Sequence, residues 1–248
     1  KMCATYPRVA AIQWSPPLQL RLSRHVREPT VPVLQLPSLP AANSKHFAAK
    51  QEWGNLPGAA LSLAIAEAAT AAKRFTLLLT ADSQSADRLE QELGFFAPEL
   101  SVLPFPDWET LPYDQFSPHQ DIISQRIASL YRLPELSHGV LVVPITTALH
   151  RLAPTRFLLG TSLVLDVGQK LNVEQMRTRL ESTGYRCVDT VYEHGEFTVR
   201  GALIDLFPMG SELPYRIDLF DDEIETLRTF DPETQRSIDK VESIRLLP

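Results

Sequence analysis

The sequence predicts an α/β lobe with a parallel sheet, followed by a small α+β domain with an antiparallel sheet. Three observations carry this reading. Helical and strand patterns alternate from Trp53 to about residue 153, and short alternating segments separated by turn signals run from there to Pro248. The composition, 44% hydrophobic and 22% charged over 248 residues, is that of a chain with real cores. Strand and helix in strict alternation favour parallel pairing under covering helices, whereas short strands joined by tight turns favour antiparallel pairing.

In the first lobe, placed at residues 44–153, Gly58 to Lys73 (GAALSLAIAEAATAAK) reads as an Ala-rich helix. Phe75 to Ala81 (FTLLLTA) is a continuous apolar strand, expected to be buried on both faces. Ser85 to Leu93 is a helix with one polar face, and Ser101 to Phe105 a short strand. Pro118 to Arg132 is a helix with apolar positions Ile123, Ile127 and Leu130, and Gly139 to Pro144 (GVLVVP) a second buried strand. Between these lies a loop rich in proline and aromatics, Pro104 to Asp121, in which Trp108 and Tyr113 are expected to pack onto the sheet edge. In the second domain, placed at residues 154–248, one helix is clear, Val173 to Ser182, stopped by Gly184.

The net charge of −6 divides unevenly. Residues 1–43 carry about +4, with seven of the 20 prolines, while the remainder carries about −10. The first segment reads as an extended basic tail rather than part of a core; dispersed charges of this number give little affinity for nucleic acid at physiological salt. Two cysteines, Cys3 and Cys187, are too few for a disulfide framework, and no Cys/His cluster has metal-ligand spacing. With so few cysteines a reducing cytoplasm is the expected location, and no apolar run is long enough to span a bilayer.

The glycine turn Gly54 to Ser62 (GNLPGAALS) stands where a phosphate-binding loop would open an α/β lobe. Such a loop needs GxxxxGK[ST], in which the lysine answers the β/γ-phosphate charge and the hydroxyl holds Mg²⁺. Here Gly58 is followed by Ala60, Leu61 and Ser62 in place of Gly-Lys-Thr. The loop is read as degenerate, with no ATP hydrolysis. The six histidines are scattered, Asp221-Asp222-Glu223 reads as a solvated turn rather than a metal or acid/base site, and Glu193, His194 and Glu196 flank a turn glycine. No nucleophile, base and orienter assemble, and no metal site is expected.

The informative stretch is Tyr215 to Phe220 (YRIDLF). With a period of two, Tyr215, Ile217 and Leu219 share one face, and Arg216, Asp218 and Phe220 the other. If the first set meets the helix, Arg216 and Phe220 point outward about 13 Å apart, the composition of a binding hot spot. Either the faces are reversed, or Phe220 fills a second small core, if that patch is not a surface. Arg200, before Gly201 at the end of a neighbouring strand, extends the patch.

The residues from Glu193 to Gln235 hold RGxxxDxFP, then R-I-x-x-F-D-D-E-I and F-D-P, and this stretch resembles the sheet domain of the excision-repair protein UvrB. Joined to DWETLPYDQFSPHQDIISQR, Asp107 to Arg126, it is similar to the N-terminal region of the bacterial transcription-repair coupling factors (Mfd), over about four-fifths of the chain. The resemblance implies a degenerate P-loop (RecA-like) lobe followed by a UvrB domain-2-like α+β domain. It also implies a non-catalytic adaptor that mimics UvrB to recruit UvrA, with Arg200, Arg216 and Phe220 as UvrA-binding residues. In that family, RNA polymerase, DNA, ATP and Mg²⁺ belong to other parts of the full-length translocase, so no cofactor is expected in this chain. Two readings remain beside this one: an active nucleotide-dependent DNA enzyme, which Leu61 opposes, and intramolecular docking of the same patch against a C-terminal domain.

Overall fold

The computed structural model describes residues 52–111 and 114–248, which fall within one compact unit. The basic tail assigned to residues 1–43, and Tyr113 of the aromatic loop, lie outside the described residues. The chain runs α1 (Ala60–Ala72), β1 (Phe75–Thr80), α2 (Ser83–Phe96), β2 (Val102–Pro104), α3 (Gln120–Arg132), β3 (Gly139–Pro144) and the single-turn α4 (Ile145–Ala148). It continues through α5 (Thr155–Thr161), β4 (Leu163–Asp166), α6 (Val173–Ser182), β5 (Arg186–Cys187), β6 (Glu196–Arg200), β7 (Leu203–Leu206), β8 (Tyr215–Phe220), β9 (Glu223–Phe230), β10 (Ser237–Val241) and β11 (Ser243–Leu246).

The first three strands form a parallel sheet in the order β1-β3-β2. Strand β3 is central and buried throughout, as GVLVVP requires: Val140 and Val142 face α1 and α2, while Leu141 and Val143 face Leu130 of α3 and Leu103 of β2. The buried stripe of α1 is Ser62, Ala64, Ala66, Ala68 and Ala69 with Ile65, and these small side chains let α1 lie close against α2 and the sheet. Helix α2 begins two residues before its apolar pattern, because the Asp82 carboxylate accepts from the Ser85 amide at 2.7 Å and caps the first turn.

Two expectations for this lobe are corrected. Strand β1 is not buried on both faces: Phe75, Leu77 and Leu79 are exposed, Leu77 by 54%. It is an edge strand, and α3 covers β2 and β3 without reaching it. On α3 the fully buried residues are Ser124, Arg126 and Ser129, not the apolar positions Ile123, Ile127 and Leu130, which are only half-buried. The Arg126 guanidinium lies between two rings, 4.1 Å from the centroid of Phe105 and 3.9 Å from that of Trp108, and donates to the Pro106 carbonyl. Burial pulls its pKa down to about 10, against the opposing charge of Asp107. The aromatic loop is thus held by a cation from the next helix rather than by the sheet edge alone.

The later strands form a six-stranded sheet in the order β10-β9-β8-β7-β6-β5, antiparallel except where β5 pairs parallel with β6. Strands β4 and β11 make a separate antiparallel pair. Leu165, Ile244 and Leu246 of that pair share one core with Met176 and Leu180 of α6 and with Phe197, Ile204, Leu206, Ile217, Leu219, Ile224 and Leu227 of the large sheet. Helix α6 matches its sequence bounds, capped by Asn172 and closed by Gly184 at φ 97°. Helix α5 was absent from the sequence reading; it packs on α3 of the first lobe. Helix α3 also meets the second domain at Gly210, whose amide donates to Ser124 Oγ at 2.7 Å, and at His194, whose ring nitrogens lie 2.8 Å from Asp121 Oδ1 and 2.8 Å from the Ser211 carbonyl oxygen.

Tyr185 closes the large core. Its hydroxyl donates to the Leu247 carbonyl at 2.6 Å and accepts from the Met209 amide at 3.1 Å, and burial pushes its pKa up to about 12. A pKa raised above the unfolded value of about 10 gives stability that is complete below about pH 10 and lost as pH rises toward about 12, up to ~3 kcal/mol. Denaturant titrations across that alkaline window should show this fall in the parent protein, and a shallower one in Tyr185→Phe.

Candidate interaction surface

The face of the six-stranded sheet away from the large core is where sequence reading placed its binding residues. Period-two alternation puts Ile217 and Leu219 of β8 in the core and Arg216, Asp218 and Phe220 on the opposite side. The same rule applies to β6, where Phe197 is inside and Arg200 outside, and to β7, where Ile204 and Leu206 are inside and Asp205 outside. Strand β9 keeps both Ile224 and Leu227 inside despite their odd spacing, because a bulge lies between the pairs Asp218↔Thr226 and Leu219↔Ile224.

Register then decides which outer side chains meet. Asp205 stands opposite Arg216, and Arg216 opposite Arg228. Leu203 stands opposite both Arg200 and Asp218, one row further along. Phe220 lies in the next row, opposite Glu223. Arg200, Arg216 and Phe220 therefore share one face, as the alternation implies, but their environments differ.

Phe220 is 74% exposed. A second small core does exist beside this face, built from Val191, Phe207 and Phe230 with Val188, and Phe220 has no place in it. The Arg200 side chain is 50% exposed and ion-paired with Asp205 Oδ2. Arg216 faces outward but only 16% of its side chain meets solvent. Its Nε donates to Asp205 Oδ1 at 2.7 Å, its Nη2 to Asp205 Oδ2 at 2.9 Å, and its Nη1 to the Gln235 carbonyl at 3.2 Å, while the guanidinium lies 4.8 Å from the centroid of the Phe230 ring. The bond to Asp205 raises the Arg216 pKa. A neighbouring pair, Arg228 and Asp218, lies 3.4 Å apart, with Thr226 Oγ1 donating to the same carboxylate.

Asp205, Gln235 and Phe230 were not singled out as site residues from the sequence. A lone acid between Ile204 and Leu206 was a visible signal, but its partner depends on the strand register.

The remaining sequence candidates have structural partners. The glycine turn enters α1 from residues 52–57, which belong to no strand. Gly58 takes φ 58°, Ala60 begins α1, Leu61 packs on the first-lobe core, and the buried Ser62 hydroxyl donates to Glu92 of α2. Asp221 to Glu223 turn β8 into β9, with Asp222 ion-paired to Lys170 at 2.9 Å. Glu196 accepts from the Tyr192 and Glu193 amides, at 2.9 Å each, and fixes that turn. Among the described residues, no His, Cys, Asp and Glu group could hold a metal ion, and no helix is long and apolar enough to cross a membrane.

Residues 163–248, which include the whole six-stranded sheet, match the family model of the UvrB interaction domain. A transcription-repair-coupling factor of Escherichia coli (strain K12) is 53% identical over 195 residues, covering 79% of this chain and 17% of that protein. The factor of Haemophilus influenzae is 48% identical over 195 residues, 79% of this chain and 17% of its own, and that of Staphylococcus aureus (strain USA300) 37% identical over 193 residues, 77% and 16%. The second sheet thus lies within a domain of the UvrB interaction kind. Over about four-fifths of its length the chain is thus similar to transcription-repair-coupling factors, and it spans about a sixth of the length of these relatives.

The two phenylalanines of the face should separate in stability measurements. Phe220→Ala should leave the unfolding free energy within about 0.5 kcal/mol of the parent, whereas Phe230→Ala should lower it by about 3–5 kcal/mol.

Proposed function

We propose that this chain is the UvrB-like adaptor region of a transcription-repair coupling factor, and that it recruits UvrA through the outer face of its six-stranded sheet. The observation that supports this best is an exposed Phe220 beside arginines fixed at the surface, within the segment matching the UvrB interaction domain. Arg200 supplies a charged anchor, Arg216 shapes the platform and Phe220 supplies apolar area; aromatic and arginine side chains of this kind carry most of the energy of interfaces. The adaptor does no chemistry and needs no nucleotide or metal. Leu61 stands where triphosphate charge would need lysine, and the Ser62 hydroxyl is taken by Glu92. In the longer protein, RNA polymerase, DNA, ATP and Mg²⁺ are handled by other regions, and the work is that of an ATP-dependent translocase in the cytoplasm.

The exposure of Phe220 also favours a compatible second use, in which a C-terminal domain of the longer protein covers the patch until UvrA is needed.

Titration of the purified chain with UvrA should give saturable binding, weakened about tenfold or more by Phe220→Ala or Arg200→Ala at unchanged circular dichroism. Binding at parental strength by both variants would remove the face from the interface. Calorimetric titration with ATP should give no heat of binding at micromolar affinity.

A further inference from the structure

We infer that Asp205 is the positioning residue of this surface: a buried carboxylate that aims Arg200 at the partner and locks Arg216 beneath it. The inference rests on the UvrA-docking reading of the face and assigns to it a residue that the partner cannot touch.

The Asp205 side chain is 1% exposed, and both of its oxygens are engaged by cations from the neighbouring strands. Oδ1 accepts from Arg216 Nε, and Oδ2 accepts from Arg216 Nη2 and from Arg200 Nη2. The Arg216 contact is the planar two-point pairing that arginine makes with a carboxylate and lysine cannot. A third donor of Arg216 is held by the Gln235 carbonyl, and its flat face rests on Phe230. Arg216 is therefore fixed on three sides before any partner arrives, and Asp205 with it.

Arg200 has no such cage. It ends β6 beside Gly201, half of its side chain is in solvent, and its bond to Asp205 is its ion pair in the structure. An exposed arginine otherwise samples many rotamers, and ordering it on binding costs affinity. Asp205 removes that cost in advance, because a carboxylate out of water holds its cations far more firmly than a surface acid does. The arrangement leaves the outer edge of Arg200 facing the surface, one row from Phe220.

The experiment is UvrA binding by the purified 248-residue chain carrying Asp205→Asn, Arg200→Ala, Phe220→Ala and the two doubles that contain Asp205→Asn. Asp205→Asn keeps the shape and removes the charge, and should weaken binding about tenfold or more although no atom of residue 205 reaches the partner. In double-mutant cycles, Asp205→Asn should add almost nothing to Arg200→Ala, and should add fully to Phe220→Ala. A general loosening of the sheet would couple with both variants alike, and that result overturns the inference. Should Asp205→Asn not fold, the parent protein decides: guanidinium NMR should show restricted rotation about Nε–Cζ for Arg200 as well as Arg216, and a freely rotating Arg200 overturns the positioning role. If the parent binds UvrA and Phe220→Ala weakens it while Asp205→Asn binds normally, only the role of Asp205 falls. If the parent has no affinity for UvrA, the docking reading falls, and the role of Asp205 with it.

Discussion

A carboxylate removed from water must keep its cations close, and Asp205 keeps two of them. Its position is possible because β7 pairs with β8 in the register that sets it opposite Arg216, and because β6 brings Arg200 within reach of the same oxygens. Much of the second sheet is organised around this point. On the inner side, Ile204, Leu206 and Ile217 alternate into the large core, so the register cannot slip by one residue without turning all of them to solvent. On the outer side, Phe230 and the Gln235 carbonyl close over Arg216. Apolar burial on one face and ion pairing on the other thus demand the same strand alignment.

The first lobe is joined to this sheet by polar contacts at specific points. Ser124 reaches the Gly210 amide and Asp121 reaches His194, both from the same helix α3 that buries Arg126 between Phe105 and Trp108. One helix therefore steadies the aromatic loop with one residue and meets the interaction domain with others. The sheet of this lobe is small, and its edge strand keeps apolar side chains in solvent; Leu77 and Leu79 line an apolar depression of about 190 Å³ with Leu141, Val143 and Leu152.

The first turn of α1 is committed to packing. Leu61 joins the apolar contacts of α1, and Ser62 turns its hydroxyl to a carboxylate of the neighbouring helix instead of toward solvent. Both contacts favour packing of α1 on α2. The surface that remains chemically distinctive is the outer sheet face, where charge and aromatic area stand side by side.

The sequence by itself determined the alternation of elements from α1 to β3, the bounds of α6 and which residues of β8 share a face, because period and capping are local properties of a few adjacent residues. The shared face of Arg200, Arg216 and Phe220 followed from the same alternation. Tertiary structure alone decided that β1 is an edge with one face in solvent, that Ser124, Arg126 and Ser129 rather than Ile123 are the buried residues of α3, and that α5 forms at all. It also decided that Phe230, not Phe220, fills the small core, and that Asp205 governs both arginines. Each of these depends on which strand or helix lies alongside, and cross-strand register and helix coverage join residues far apart in the chain. A pattern read along one strand gives the side a residue faces, and only the neighbouring strand gives what it meets there.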